Sequence, residues 1–477
     1  MSNSAAIVAT VLVQTLAGLG VLAVVGLAST LRDLLRNAAV APLAGMAWTG
    51  IVGATLATLG LRLSIAGLAI LTIGTCLGGA RRMRRHAGDS RRSERARSTR
   101  SWLDRAAAAA ALLALGAVAV SAARMFHVKP LAEYDGWAMW GMKSRAIASL
   151  GAADADVFAS SAYSRLHLEY PLLLPSLHAL PLQLVDGFPS NVVVLSCFAV
   201  GAAGLAAIWG LLRGRVRAGI LLPFVAALAT APAFFGQLAT GYADVPLAAF
   251  VAAGVVASGR WLLDGHRSWL ALATLFLASA ALTKNEGLLF GVATYAALLL
   301  AARGRWRAVG LSALAAGLVY APWRAYLTIN DLKPSDYDLL SSFNLPWVIR
   351  RLDRAPLAAD GLFSRATDTQ QFTLLVALGA AAIVAALAFG PRRLGVFAAA
   401  FAAFSFVGLT WIYVLTPNEV ESFLSTNGER VIVSLVFGLV GLAPLLFEEA
   451  ARRLAEPTGA TTVPAGSSNP SAAPPAA

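Results

Sequence analysis

Apolar runs of about 20 residues, parted by short clusters of arginine, recur along the chain, and that length matches a hydrocarbon core of ~30 Å crossed at 1.5 Å per residue. The runs lie near 5–29, 38–60, 63–79, 103–123, 190–212, 217–236, 243–259, 269–283, 287–302, 308–325, 370–389, 394–415 and 430–447. That is about thirteen candidate spans. With 58% hydrophobic and 13% charged residues, a soluble domain is excluded. The expected fold is an all-α polytopic membrane protein.

A formal charge of +13 would suggest nucleic acid as a partner in a soluble chain. Here the arginines fall between apolar runs, where they orient helices, so no nucleic-acid partner is expected. If the spans alternate, Arg32 and Arg36, the tract 81–100, RGRVR (213–217), Arg260 with Arg267, RGRWR (303–307), PRR (391–393) and Arg452 with Arg453 share one side. That side is expected to be cytoplasmic, which puts the N-terminus and the polar stretches 133–151, 240–246, 283–287, 322–369 and 416–429 outside. The N-terminus has no basic leader or cleavage pattern and reads as a retained span. Cys76 and Cys197 lie in apolar runs and lack the spacing of a disulfide framework or a thiolate metal site.

The organisation expected is a three-span segment (1–80), an Arg-rich cytoplasmic loop (81–102), a catalytic transmembrane module (103–447) and a disordered cytoplasmic tail (448–477). Residues 170–188 are apolar but carry Pro171, Pro175 and Pro181, which break helical bonding. They are expected to form a re-entrant or interfacial helix returning to the outer face.

Chemistry-bearing residues gather at the outer stations. EYDGWAMWGMKSRAIASLG (133–151) holds Tyr134, Asp135, Trp137 and Lys143, and HLEYPLLLP (167–175) holds Glu169 and Tyr170. Asp135 and Glu169 are brought to one face by the returning helix, and a carboxylate can take a proton from a hydroxyl acceptor. Tyr134 and Trp137 serve either as interface-belt residues or as platforms for sugar rings. His167 and His178, eleven apart, match no metal signature. In TGYADVP, Tyr242 precedes Asp244, which opens a span and can either cap it or enter the site. TKNEG places Lys284, Asn285 and Glu286 between two short apolar runs. A charge there costs ~2.5–3.5 kcal/mol at the bilayer centre, so Lys284 either pairs with Glu286 or neutralises a lipid-linked phosphate. Arg324 and Arg430 stand at two further outer mouths, where each either contacts a phosphate or snorkels. A divalent cation, if used, would fall to Asp135 and Asp244.

Four motifs in order, YDGWAMWGMKSRA, EYPLLLP, GYADVPLA and TKNEGLL, with a weaker STNGERV, resemble bacterial membrane glycosyltransferases of the GT-C superfamily, related to protein O-mannosyltransferases. The likeness reaches across roughly residues 130–435. It implies a GT-C-type bundle that moves a sugar, with inversion, from a polyprenyl-phosphate donor to a hydroxyl on a glycan, lipid or protein acceptor at the outer face of the cell membrane. It also implies Asp135 as general base, Glu169 as the acid before Tyr-Pro, Asp244 as the acid of the second outer turn and Lys284 as the lysine of the third. Two departures are HLEYPLL in place of His-Pro-Pro and the lack of a Glu directly after Asp135. Members of the superfamily differ in using a divalent cation. A transporter or lipid-linked-sugar flippase is the alternative, since it too buries ionisable groups in a many-span bundle. A non-catalytic scaffold for envelope polymers is a third reading.

Overall fold

A computed structural model of the chain describes residues 1–85, 101–128, 131–333 and 344–455. Every regular element among them is helical. Most of the Arg-rich loop and the tail beyond residue 455 lie outside the described residues, but residues 448–455, expected in the tail, continue the last helix.

Among the described residues seven helices are long and apolar enough to cross a membrane: Asn3–Val24, Leu31–Thr58, Trp102–Phe126, Ser190–Leu212, Asp244–Asp264, Arg392–Leu415 and Val420–Ala455. Ala218–Thr230 and Pro232–Ala239, bent by 56°, make an eighth if taken as one span. The expected thirteen is larger because Arg267–Thr283, Asn285–Ala301 and Leu375–Ala388 have only 17, 17 and 14 residues. They rise about 21–26 Å. Ile65–Arg85 and Trp306–Ile329 have the length, but each carries arginine and neither is among the seven. Leu173–Leu182, the proline-rich stretch, rises about 15 Å and is buried throughout, too short to cross by itself.

Two expected loops are helical instead. The last helix begins at Val420, not near 430, so STNGERV is helical although Asn and Gly favour loops. Tertiary contact overrides that preference, because the Arg365 side chain lies against Gly428 and Arg430 is held by two carboxylates. The stretch 322–369 is likewise no open loop. One helix runs on to Ile329, and Arg354–Ala366 packs on the last helix, while 334–343 lies outside the described residues.

Two helices form the centre of the bundle. Asp244–Asp264 and Val420–Ala455 are the most buried of the spans and pack against each other. At one end Asp244 binds Arg430; at the other Asp264 and Glu449 share Arg215, so the two helices run parallel. Twenty residue steps separate Asp244 from Asp264, about 30 Å. The Arg215 end also collects Arg217 on Glu448 (3.0 Å), Arg260 on Asp264 (2.8 Å), Arg305 on the Leu262 carbonyl (3.2 Å) and Arg453 on the Gly390 carbonyl (3.2 Å). Arginine clusters scattered in sequence therefore meet at one end of the bundle, a hydrocarbon thickness away from Asp244.

The N-terminal helices show how such a bundle closes without a hydrophobic driving force between them. A Cβ on Gly18 would lie 1.8 Å from the Ala41 carbonyl oxygen, and one on Gly45 would lie 1.7 Å from that of Gln14. Glycine lets the two backbones touch, which maximises van der Waals contact. Gly45→Ala is expected to force these helices apart and cost about 1–3 kcal/mol. Thermal unfolding in detergent measures it, and an unchanged midpoint would show the contact to be dispensable.

Candidate functional site

Asp135 opens a π-helical turn, Asp135–Gly141, a wide turn that recurs at functional sites. Its second residue decides where the turn can sit. A Cβ on Gly136 would lie 2.1 Å from the Thr240 carbonyl oxygen, so only glycine allows the turn to press on segment 240–242. Gly241, at φ +71°, completes the fit in a backbone region that other residues rarely adopt. Gly136→Ala is expected to move Asp135 away from its partners and cost about 1–3 kcal/mol of stability, since a Cβ there overpacks the contact. Thermal unfolding in detergent measures it, and an unchanged midpoint would show that the turn does not depend on this contact.

Asp244 lies in the first turn of its helix, but the cap position belongs to Ala243 and no side chain caps the helix. The carboxylate is turned instead to two cations. Oδ1 accepts from Lys284 Nζ at 2.9 Å; Oδ2 accepts from Arg430 Nε and an Nη at 3.0 and 2.9 Å. Lys284 is an extended residue joining two antiparallel helices. Their ends close tightly because a Cβ on Gly287 would meet the Ala280 carbonyl oxygen at 1.8 Å. Lys284 Nζ also lies 3.2 Å from Glu286 Oε1, and Arg430 reaches Asp135 Oδ2 at 2.7 Å.

The result is one chain of ion pairs, Asp135, Arg430, Asp244, Lys284, Glu286, drawn from four stations far apart in sequence. Three carboxylates face two cations, leaving one formal negative charge. Asp244 is 1% exposed, whereas the Asp135 side chain keeps 24% of its surface open. The inner pairs are therefore structural anchors, and the outer carboxylate is accessible. Beside this chain lies a cavity of about 230 Å³ whose walls include Asp135, Trp140, His167, Tyr170, Glu286 and Arg430.

Tyr242 supports the arrangement from the side. The Arg430 guanidinium stacks 4.0 Å above its ring, and its hydroxyl donates to Glu133 at 3.4 Å. Burial pushes the phenol up to about 12, with nearby Arg430 opposing, so it remains a donor at neutral pH. Lys143, expected to meet substrate, is fully buried. Its ammonium donates to the His167 and Tyr170 carbonyls and stacks near Trp140 and Tyr170. Burial pulls it down to about 7, against the nearby Glu169 carboxylate. It ties the segment after Asp135 to the turn at 167–170.

The other expected residues divide. Tyr170 lines the cavity. Glu169 is buried and not among the lining residues, with Oε1 3.2 Å from Nδ1 of the cavity-lining His167. Tyr134 and Trp137 are half exposed and pack edge to face at 5.9 Å, beside the site and not among the lining residues. Asn285 starts its helix and Arg324 is half buried on another; neither lines the cavity. Reading residues alone misses Tyr413, hidden in an apolar run, and Asn427, which lies one helical turn before Arg430 and accepts from it at 3.4 Å. The spacing of Asn427 and Arg430 becomes a signal only once the last helix is known to start at Val420.

Asp135 and Asp244, the carboxylates to which a divalent cation would fall, are both bonded to the guanidinium of Arg430. Among the described residues no group of three or more His, Cys, Asp or Glu side chains is placed to hold a metal ion. No protein-family model, curated protein or solved structure matches this chain.

Proposed function

We propose that the chain is a GT-C-type glycosyltransferase of the cell membrane that moves a sugar from a polyprenyl-phosphate donor to an acceptor hydroxyl at the outer face. The observation that carries this reading is the meeting of Asp135, Arg430 and Lys284 at one cavity, the two cations tied together by Asp244, at the opposite end of the bundle from the arginine belt. By the positive-inside bias, that belt is cytoplasmic and the cavity is extracytoplasmic. Asp244 is the first residue of its span, which supports chemistry at the headgroup level over transport through a midplane site.

In the proposed reaction the acceptor oxygen bonds to the anomeric carbon from the face opposite the phosphate. The bond between that carbon and the phosphate oxygen breaks, and polyprenyl phosphate leaves with the bonding pair. Asp135 takes the acceptor proton. Charge grows on the departing phosphate, and Arg430, the partly open cation, is the group within reach to stabilise it. Each cation already serves two carboxylates, so the phosphate gains Arg430 by loosening its pair with Asp135. That exchange frees Asp135 to act as base at the moment the leaving group departs.

Membranes containing the chain, supplied with radiolabelled sugars on polyprenyl phosphate, are expected to transfer label to an endogenous hydroxyl acceptor. Absence of transfer above membranes lacking the chain, across hexose and pentose donors, would sink the proposal.

A further inference from the structure

Two polar atoms in residues of the cavity wall are shielded from solvent and have no hydrogen-bond partner among the described residues: Glu286 Oε2 and Tyr413 Oη. A buried carboxylate oxygen without a donor is costly, and native structures seldom keep one unless something else satisfies it. The ion-pair chain does not. Lys284 is engaged by Asp244 and by the other oxygen of Glu286, and Arg430 is forked between Asp244 and Asp135. Glu286 stands in the first turn of Asn285–Ala301 and Tyr413 in the last turn of Arg392–Leu415. Those two helices pack on each other, both residues line the cavity, and the Tyr413 phenol lies within electrostatic reach of Glu286.

The chemistry that suits both atoms is narrow. An ionised carboxylate only accepts, and a phenol donates and accepts. A phosphate placed against this oxygen is repelled by the Glu286 carboxylate. A neutral ligand with neighbouring hydroxyls can donate to Glu286 and bond to Tyr413. Trp140, Tyr170 and Phe423 line the same cavity and offer aromatic faces to the C–H surface of a ring.

We propose that Glu286 and Tyr413 form a hydroxyl-recognition subsite that takes the uncharged sugar of the donor, separate from the groups that meet its phosphate. This rests on the lipid-linked-sugar reading. The full-length chain in lipid nanodiscs is titrated with farnesyl phosphate, bare or carrying mannose, galactose or arabinose, and intrinsic tryptophan fluorescence reports binding.

Wild type is expected to bind at least one sugar-bearing lipid about tenfold more tightly than bare farnesyl phosphate. Glu286→Gln should erase that preference, and Tyr413→Phe, which removes one hydroxyl and preserves shape, should reduce it about threefold to tenfold. Affinity for the bare lipid should stay unchanged in Tyr413→Phe. A preference that survives in Tyr413→Phe and Glu286→Gln overturns the subsite. Equal binding of bare and sugar-bearing lipids by wild type overturns it alone and leaves the carrier reading standing, whereas binding of none overturns both.

Discussion

Replacing Asp244 by Asn is expected to cost about 3 kcal/mol of stability, the lower end of the range for breaking a buried ion pair, and to reduce transfer to background. Asp244 is 1% exposed and holds Lys284 on one oxygen and Arg430 on the other. Asn keeps the shape but removes the charge that offsets both cations. The loss stops short of the upper end because Lys284 retains Glu286 at 3.2 Å and Arg430 retains Asp135 at 2.7 Å. Denaturant unfolding in detergent measures the change. A double-mutant cycle with Lys284→Met should show coupling of about 1–3 kcal/mol. Stability within ~0.5 kcal/mol of wild type would show that Asp244 is not the centre of the network.

Asp135→Asn is expected to behave in the opposite way, with transfer lowered about 10²–10⁴-fold and little change in stability. Asp135 is the accessible member of the chain, and Arg430 keeps its forked bond to Asp244 without it. Donor binding should persist, since in the proposed reaction the lost group acts on the acceptor proton. Transfer at wild-type rate would remove Asp135 from catalysis while leaving the cavity a binding site. Arg430→Lys should not rescue the role of Arg430, because a point charge cannot bond two carboxylates in the planar geometry of a guanidinium.

These expectations draw on residues that were legible to unequal degrees. Asp135, Asp244, Lys284 and Arg430 stand out because charged groups beside apolar runs are costly, so each needed a partner somewhere. Their mutual partners were not legible. Lys284 could be paired with Glu286 from spacing alone, and that pair is present, but its second carboxylate comes from forty residues away. Asp244 could be read as a helix cap because its local sequence fits one; the turn geometry instead gives the cap position to Ala243. Lys143, a candidate substrate ligand by its place near Asp135, is wholly buried and bonded to backbone carbonyls, which local sequence does not reveal.

The apolar runs and their length were enough to establish a helical, membrane-spanning chain, because backbone polar groups in hydrocarbon must be satisfied within the segment itself. The distribution of arginine suggests which connections belong together, and of those arginines Arg215, Arg217, Arg260, Arg305 and Arg453 gather at one end. Local pattern could not tell a full crossing from the shorter helices Arg267–Thr283 and Asn285–Ala301, nor place the start of the last helix at Val420. It also could not find Tyr413 or the unpaired oxygen of Glu286, since an unsatisfied atom is defined by what surrounds it in space. Those features depend on long-range packing, where one glycine contact or one shared guanidinium selects among arrangements that local propensity leaves nearly equal.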